Sequence, residues 1–169
     1  MVVVAGAGVA VVVWFPSMNI IFCALLVPSS FNRPPVLNIS SPPRQTTNGI
    51  YNTSLYDAVR PQSVPAWQRV RTACALARNG EEWSTLIAKH NSGTYNNQYM
   101  VLNVGLFRPG EALAPGMLWV SEQIPGLVVS EDVTHELERG YWPSYNVPYF
   151  DKVRRADGGL TPDLIPAEF

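Results

Sequence analysis

The sequence has little charge. Asp, Glu, Lys and Arg make up 15% of its 169 residues, well under the usual quarter. Twelve basic against thirteen acidic residues leave a formal net charge of −1. That excludes the basic face a nucleic-acid partner requires. Histidine is limited to His90 and His135, and cysteine to Cys23 and Cys74. Neither pair has metal-ligand spacing, so no metal site and no disulfide framework are expected. No GxSxG elbow, P-loop, dinucleotide fingerprint or internal repeat occurs, and no cofactor is expected.

Charge is missing altogether before Arg33. Residues 1–28 form an apolar leader long enough to span a bilayer. Three readings stay open. A signal peptide usually has a basic start, and this leader has none. A signal anchor fits the length, with Arg33 as the orienting charge and membrane contact through residues 1–28. Val-rich runs such as Val2–Val4 and Val11–Val13 also suit the buried strands of a truncated domain or a misdrawn start. Pro16 interrupts a clean span. Residues 29–43 read as a Pro-rich linker in extended geometry. Asn38-Ile39-Ser40 and Asn52-Thr53-Ser54 are glycosylation sequons, which together with the leader point to the secretory route.

The ordered domain is expected from about residue 44 to 160. Val64, Trp67, Val70, Cys74 and Ala77 recur at helical spacing, with Ser63 as cap and Asn79-Gly80 as stop. Both Trp67 and Trp83 read as core, and Cys74 as a buried thiol on the apolar face. A second helix follows, with Glu81 and Glu82 at its N-terminus and Trp83, Leu86 and Ile87 as its apolar stripe. His90 at its end reads as a cap or surface group. Gln98–Phe107, Met117–Ile124 and LVVS at 127–130 read as strands, with Pro125-Gly126 turning the chain. A short helix at Tyr149–Ala156 ends at Gly158-Gly159. Helices segregated from consecutive strands predict an α+β fold with an antiparallel sheet and flanking helices.

Between the second helix and the first strong strand lies NSGTYNNQ, Asn91–Gln98. It concentrates neutral amides and hydroxyls with no charge. Such groups cannot ionise and offer both donors and acceptors. Fixed at a strand start, they suit an oxyanion hole. They equally suit a turn in which Asn-Ser-Gly ends the helix and side chains bind turn carbonyls.

This octapeptide resembles the signature of the phospholipase B-like family, lysosomal N-terminal-nucleophile hydrolases that include the laminin-ancestor proteins. EQIPGLVV at Glu122–Val129 and GYWPSYNVPYF at Gly140–Phe150 resemble two further family blocks. VRP at Val59–Pro61 and the pair Thr46-Thr47 fall in the family order. The resemblance covers residues 44–160; residues 161–169 look unrelated.

The resemblance implies a partial αββα sandwich and hydrolysis of an acyl ester or amide of a lipid by an N-terminal cysteine. It implies a glycoprotein delivered to lysosomes or secreted. Asn97, Asn96, Thr94 and Asn91 become the candidate catalytic residues, and Thr46 and Thr47 candidate substrate-binding hydroxyls. Asn38 and Asn52 are the candidate glycosylation sites. The family's nucleophile segment has only a faint echo at Cys23, which lies too close to Thr46 to admit the intervening strands. The chain therefore reads as a central slice of the fold. The alternative is a non-catalytic fragment or a membrane-tethered binding module.

Overall fold

The computed structural model describes residues 2–3 and 43–158. Its strands are β1 (Val2–Val3), β2 (Arg44–Thr47), β3 (Asn97–Leu102), β4 (Leu118–Ile124), β5 (Leu127–Asp132) and β6 (Tyr141–Trp142). Its α-helices are α1 (Ala66–Leu76), α2 (Gly80–Ala88) and α3 (Asp151–Ala156). Four strands form an antiparallel sheet in the order β2-β3-β4-β5, and β1 pairs antiparallel with β6. The α+β architecture with an antiparallel sheet and flanking helices is as expected.

Side-chain alternation along the central strands builds a core on each face. Met100 and Leu102 of β3 join Leu118, Val120 and Ile124 of β4 on one side. They pack against Val133, Leu137, Trp142, Phe150 and Val153. Tyr99 and Val101 point the other way and meet Ala73, Ala77, Trp83 and Ile87 of the α1–α2 layer. Each large apolar side chain so buried contributes about 1.5–3 kcal/mol. Covered on both faces, β3 is buried along its whole length. The αββα sandwich needs a second sheet over the first. Among the described residues, the face opposite α1 and α2 is covered by the 3-10 turn Thr134–Arg139, β6 and α3.

Several boundaries differ from the expectation. Helix α1 begins at Ala66 with Pro65 as N-cap, and Ser63 instead donates to the Arg60 carbonyl at 2.7 Å. Its inner face is Ala66, Arg69 and Ala73, while Trp67 is 65% exposed. Arg69 turns inward in place of Trp67, while Val70, Cys74 and Ala77 of the stripe pack on the core. Trp83, by contrast, is fully buried. Cys74 is half-buried and accepts a hydrogen bond from Trp83 Nε1 at 3.4 Å.

Asn79-Gly80 does not stop α1, which ends at Leu76. Asn79 caps α2 instead, its Oδ1 accepting from the Glu82 N–H at 2.8 Å. A cap of this kind contributes about 1 kcal/mol. Gly80 lets the start of α2 sit on Trp119: a Cβ there would lie 2.5 Å from Trp119 Cδ1. The first strong strand stops at Leu102, because Asn103 accepts from the Gly105 N–H and caps the 3-10 turn Val104–Leu106. The hairpin from β4 to β5 closes as expected at Pro125-Gly126. Pro125 presets φ, and Gly126 takes the positive φ of 75° the turn needs.

The leader, the linker up to Pro42, Asn38 and the tail from Gly159 lie outside the described residues, apart from Val2–Val3. Among the described residues no helix is long and apolar enough to cross a membrane.

Candidate functional site

The junction between α2 and β3 is a tightly wound segment. His90, Gly93 and Tyr95 have φ of 55°, 68° and 53°. Left-handed geometry at two non-glycine residues in so short a stretch is uncommon. His90 itself is exposed. At Gly93 a side chain would also meet Val59 Cγ2 at 2.8 Å.

Hydrogen bonds hold this shape. Asn91 Oδ1 accepts from the Gly93 N–H at 2.9 Å, an Asx turn, and Asn91 Nδ2 donates to the Ile124 carbonyl at 2.9 Å. Asn96 Nδ2 donates to the Gly93 carbonyl at 3.0 Å. Thr94 Oγ1 donates to Ser92 Oγ at 3.0 Å. Gln123 Nε2 reaches from β4 to the Thr94 carbonyl at 2.9 Å and to Asn96 Oδ1 at 3.2 Å.

Beneath this network lies Arg69, 4% exposed. Its guanidinium donates to Gln123 Oε1 at 2.6 Å, to Ser92 Oγ at 3.3 Å, to the Val64 carbonyl at 3.1 Å and to the Ile87 carbonyl. Burial pushes its pKa down. Among the described residues none of its hydrogen bonds is to a carboxylate.

Asn97 opens β3 and is 2% exposed. Its Nδ2 donates to Gln45 Oε1 at 3.0 Å and to the Tyr99 hydroxyl at 3.3 Å. Burial pushes the Tyr99 hydroxyl pKa up, with the Asn97 hydrogen bond and Arg69 opposing it.

The opposite face of the same strands carries a second polar network. Gln98 Nε2 donates to Glu122 Oε1 at 2.7 Å, and Trp142 Nε1 donates to Gln98 Oε1 at 3.3 Å. Glu122 also accepts from the Tyr149 N–H at 2.5 Å and the Phe150 N–H at 3.0 Å. Thr46 Oγ1 and Ser144 Oγ lie 2.5 Å apart, and Asn146 Nδ2 donates to the Thr47 carbonyl at 2.8 Å.

The candidate residues are thus partly gathered and partly divided. Thr94 and Asn96 share the Gln123 amide, and Asn91 adjoins them through its bond to the Gly93 N–H. Thr47 pairs across from Asn97, and Thr46 from Gln98. Period two puts the two threonines on opposite faces of the sheet. Thr46 is buried and Thr47 exposed. Asn52 caps the 3-10 turn Thr53–Ala58 and donates to the Ala156 carbonyl at 3.3 Å.

Arg69, Gln123, Glu122, Ser144 and Asn146 were not singled out as site residues. Four of them stand inside the blocks EQIPGLVV and GYWPSYNVPYF, so the sequence did mark their segments. Gln123 ties the second block to the first, and Glu122 ties the second to both the first and the third. The literal matches therefore coincide with one hydrogen-bonded assembly around the β3–β4 pair. Among the described residues no group of three His, Cys, Asp or Glu could hold a metal ion.

The structure defines an α+β protein whose antiparallel sheet carries an uncharged polar junction at the start of β3. The family model for phospholipase B matches residues 43–160. The chain is 50% identical over 114 residues to phospholipase B-like 1 of Bos taurus, covering 68% of this chain and 21% of that protein. Phospholipase B-like protein B of Dictyostelium discoideum is 46% identical over 114 residues, covering 68% and 20%. Phospholipase B of Crotalus adamanteus is 45% identical over 114 residues, covering 68% and 21%. This chain belongs to the phospholipase B family, and it spans about a fifth of the length of these curated relatives.

Proposed function

We propose that residues 43–160 supply part of the hydrolytic site of a phospholipase B-like enzyme acting on acyl esters or amides of lipids. The observation that carries this reading is the junction Asn91–Gln98. It is held in uncommon backbone geometry by residues from α1, β2 and β4, and its uncharged groups sit at the start of a buried strand. Preorganised neutral donors stabilise the charge that develops in acyl transfer without binding the ground state equally. Asn97 is the leading group. Releasing Gln45, a side chain of the outer strand β2, would free an amide N–H for an oxyanion. Asn96, Thr94 and Asn91 shape the turn around it; on β2 Thr47 shares the Asn97 face of the sheet, and Thr46 serves the other face. The nucleophile of the N-terminal-nucleophile type, a cysteine with its own α-amino group as base, lies outside the described residues.

A second reading has its own observation. The side-chain amides of Asn91, Asn96 and Asn97 all donate within the protein. That favours a structural turn and a binding module without catalysis. Changing the residue matching Asn97 to Ala in the full-length Bos taurus relative separates the two. As an oxyanion donor it should lower turnover about a hundredfold with little change in melting temperature. Normal turnover with a lower melting temperature would leave the junction a turn and the hydrolytic role without support.

The apolar leader and the sequons support delivery through the secretory route to lysosomes or the exterior, with the leader as signal or anchor. Expression in a glycosylating cell should add glycosidase-removable mass at Asn38 or Asn52. At Asn52 the sugar would take one of the two Nδ2 hydrogens, leaving one for Ala156. A product without sugar would count against the route.

A further inference from the structure

Strand β5 closes one side of the four-stranded sheet and has a single neighbour, β4. Both of its faces are used. Leu127 and Val129 pack against the core that holds Phe150 and Val153. On the other face Ser130 Oγ donates to Ser121 Oγ, which donates to Ser84 Oγ of α2. Yet no position of β5 is buried, whereas β4 is buried everywhere except at Trp119. What is open is the lateral edge of the strand.

The pairing fixes which backbone groups stand on that edge. The Val133 N–H donates to the Leu118 carbonyl at 2.9 Å, and Leu127 faces Ile124 across the turn. In an antiparallel pair, residues that exchange N–H···O bonds alternate with residues that do not. Leu127, Val129 and Glu131 therefore bond β4, while Val128, Ser130 and Asp132 turn N–H and C=O outward. Among the described residues no hydrogen bond meets these outward backbone groups. The opposite edge of the sheet is protected. β2 is short and follows Pro42-Pro43, and its Thr47 carbonyl accepts from Asn146 Nδ2 at 2.8 Å. Such devices stop an edge from pairing with another chain. β5 contains no Pro and no Lys, and its only charges, Glu131 and Asp132, come at its end.

We propose that the β5 edge is a homodimer interface, where β5 of a second copy adds antiparallel about a two-fold axis at Val129. The strand complements itself in that register. Val128 and Ser130 exchange their outward N–H···O bonds with Ser130 and Val128 of the other copy, so these groups are all paired. The two Val129 residues meet at the centre, a β-branched cross-strand pair that supports a sheet. No acid meets an acid: Glu131 lies opposite Leu127, and Asp132 opposite Gly126. A formal net charge of −1 leaves little repulsion between copies. The contact is isologous and closes on itself, so it ends at the dimer. It does not depend on the hydrolytic reading above.

The test uses the whole 169-residue chain over a dilution series. Sedimentation velocity should show the 18.7 kDa species give way to one of twice that mass as concentration rises. Backbone hydrogen exchange then reads the edge residue by residue. The amides of Val129 and Glu131 should be protected at every dilution. Those of Val128 and Ser130 should gain about tenfold protection or more only where the dimer forms. Ser130→Pro removes an outward N–H that β4 does not use, and should stay monomeric. Ser130→Ala loses the same hydroxyl contact but keeps that N–H, and should still dimerise. A monomer at every concentration overturns the proposal. So does equal protection of Val128 and Ser130 at all dilutions, the mark of an edge covered by the chain's own leader. Doubled mass with these two amides unprotected, or undiminished in Ser130→Pro, places the contact elsewhere and overturns it too. Should Ser130→Pro fail to fold, the exchange pattern of the unaltered chain decides.

Discussion

Glu122→Leu should lower the stability of the 169-residue chain by roughly 3–5 kcal/mol, because it strands three neutral donors at about 1–3 kcal/mol each before relaxation. Glu122 has no exposed surface. Its carboxylate accepts the Gln98 amide and the backbone N–H groups of Tyr149 and Phe150. The carbonyls of Pro148 and Tyr149 are taken by Arg154 NH1. Residues 148–150 are thus held from both sides, and they bring Phe150 into the core. Leucine fills the space but leaves three buried donors unpaired, each a loss of about 1–3 kcal/mol before relaxation. Glu122→Gln keeps one acceptor and should lose about 1–3 kcal/mol. Urea unfolding at neutral pH measures both. A loss below about 1 kcal/mol for the leucine variant would mean that other contacts hold this segment.

The same residue gives a pH dependence. Burial pushes the Glu122 carboxyl up, against the pull of Gln98, the two backbone N–H groups and Arg154. A carboxyl whose folded pKa exceeds its unfolded one supports the fold fully below the unfolded value. That support is lost as pH rises through the folded value. The chain should therefore lose part of its stability as pH climbs from about 4.3, the ordinary glutamate value, through the raised one. Glu122→Gln cannot ionise and should lack that part of the slope.

What could be read in advance was what obeys a period. The alternation in Tyr99–Leu102, the stripe Trp83–Ile87 and the Pro125-Gly126 turn all follow rules that need only neighbours in sequence. Arg69 breaks such a rule. Periodicity assigns a charged residue outward and Trp67 inward, yet Trp67 is exposed while Val70, Cys74 and Ala77 of the same stripe do pack on the core. Only acceptors from four separate stretches, at Val64, Ile87, Ser92 and Gln123, make an inward arginine tolerable, and no local pattern announces them. Asn79 shows another limit. The same Asn-Gly pair can end one helix or start the next, and the choice was made by the fit of Gly80 against Trp119. Thr46 and Thr47 were grouped because they are adjacent, yet adjacency within a strand places them on opposite faces. The resemblance blocks located the polar assembly better than spacing did, but they gave segments, not which side chain points to which network.

Arg69→Met should destabilise the chain by about 1–3 kcal/mol for each buried acceptor it leaves unpaired, before relaxation, and its effect should be felt at the junction. Methionine retains much of the apolar stem and removes a cation that burial disfavours. It also leaves the carbonyls of Val64 and Ile87 and the Gln123 Oε1 without their donor. Gln123 is then free to rotate, and with it goes the hold on Thr94 and Asn96. Lysine should not rescue, because a single ammonium lacks the planar fork that reaches these separated acceptors together. A double-mutant cycle with Gln123→Leu gives the test. If Arg69 acts on the junction through Gln123, the two losses should fall short of additivity by about 1–3 kcal/mol, and both single variants should shift the same backbone amide signals at 93–96. Losses that add to within about 0.5 kcal/mol would show that Arg69 braces α1 against α2 and leaves the junction to hold itself.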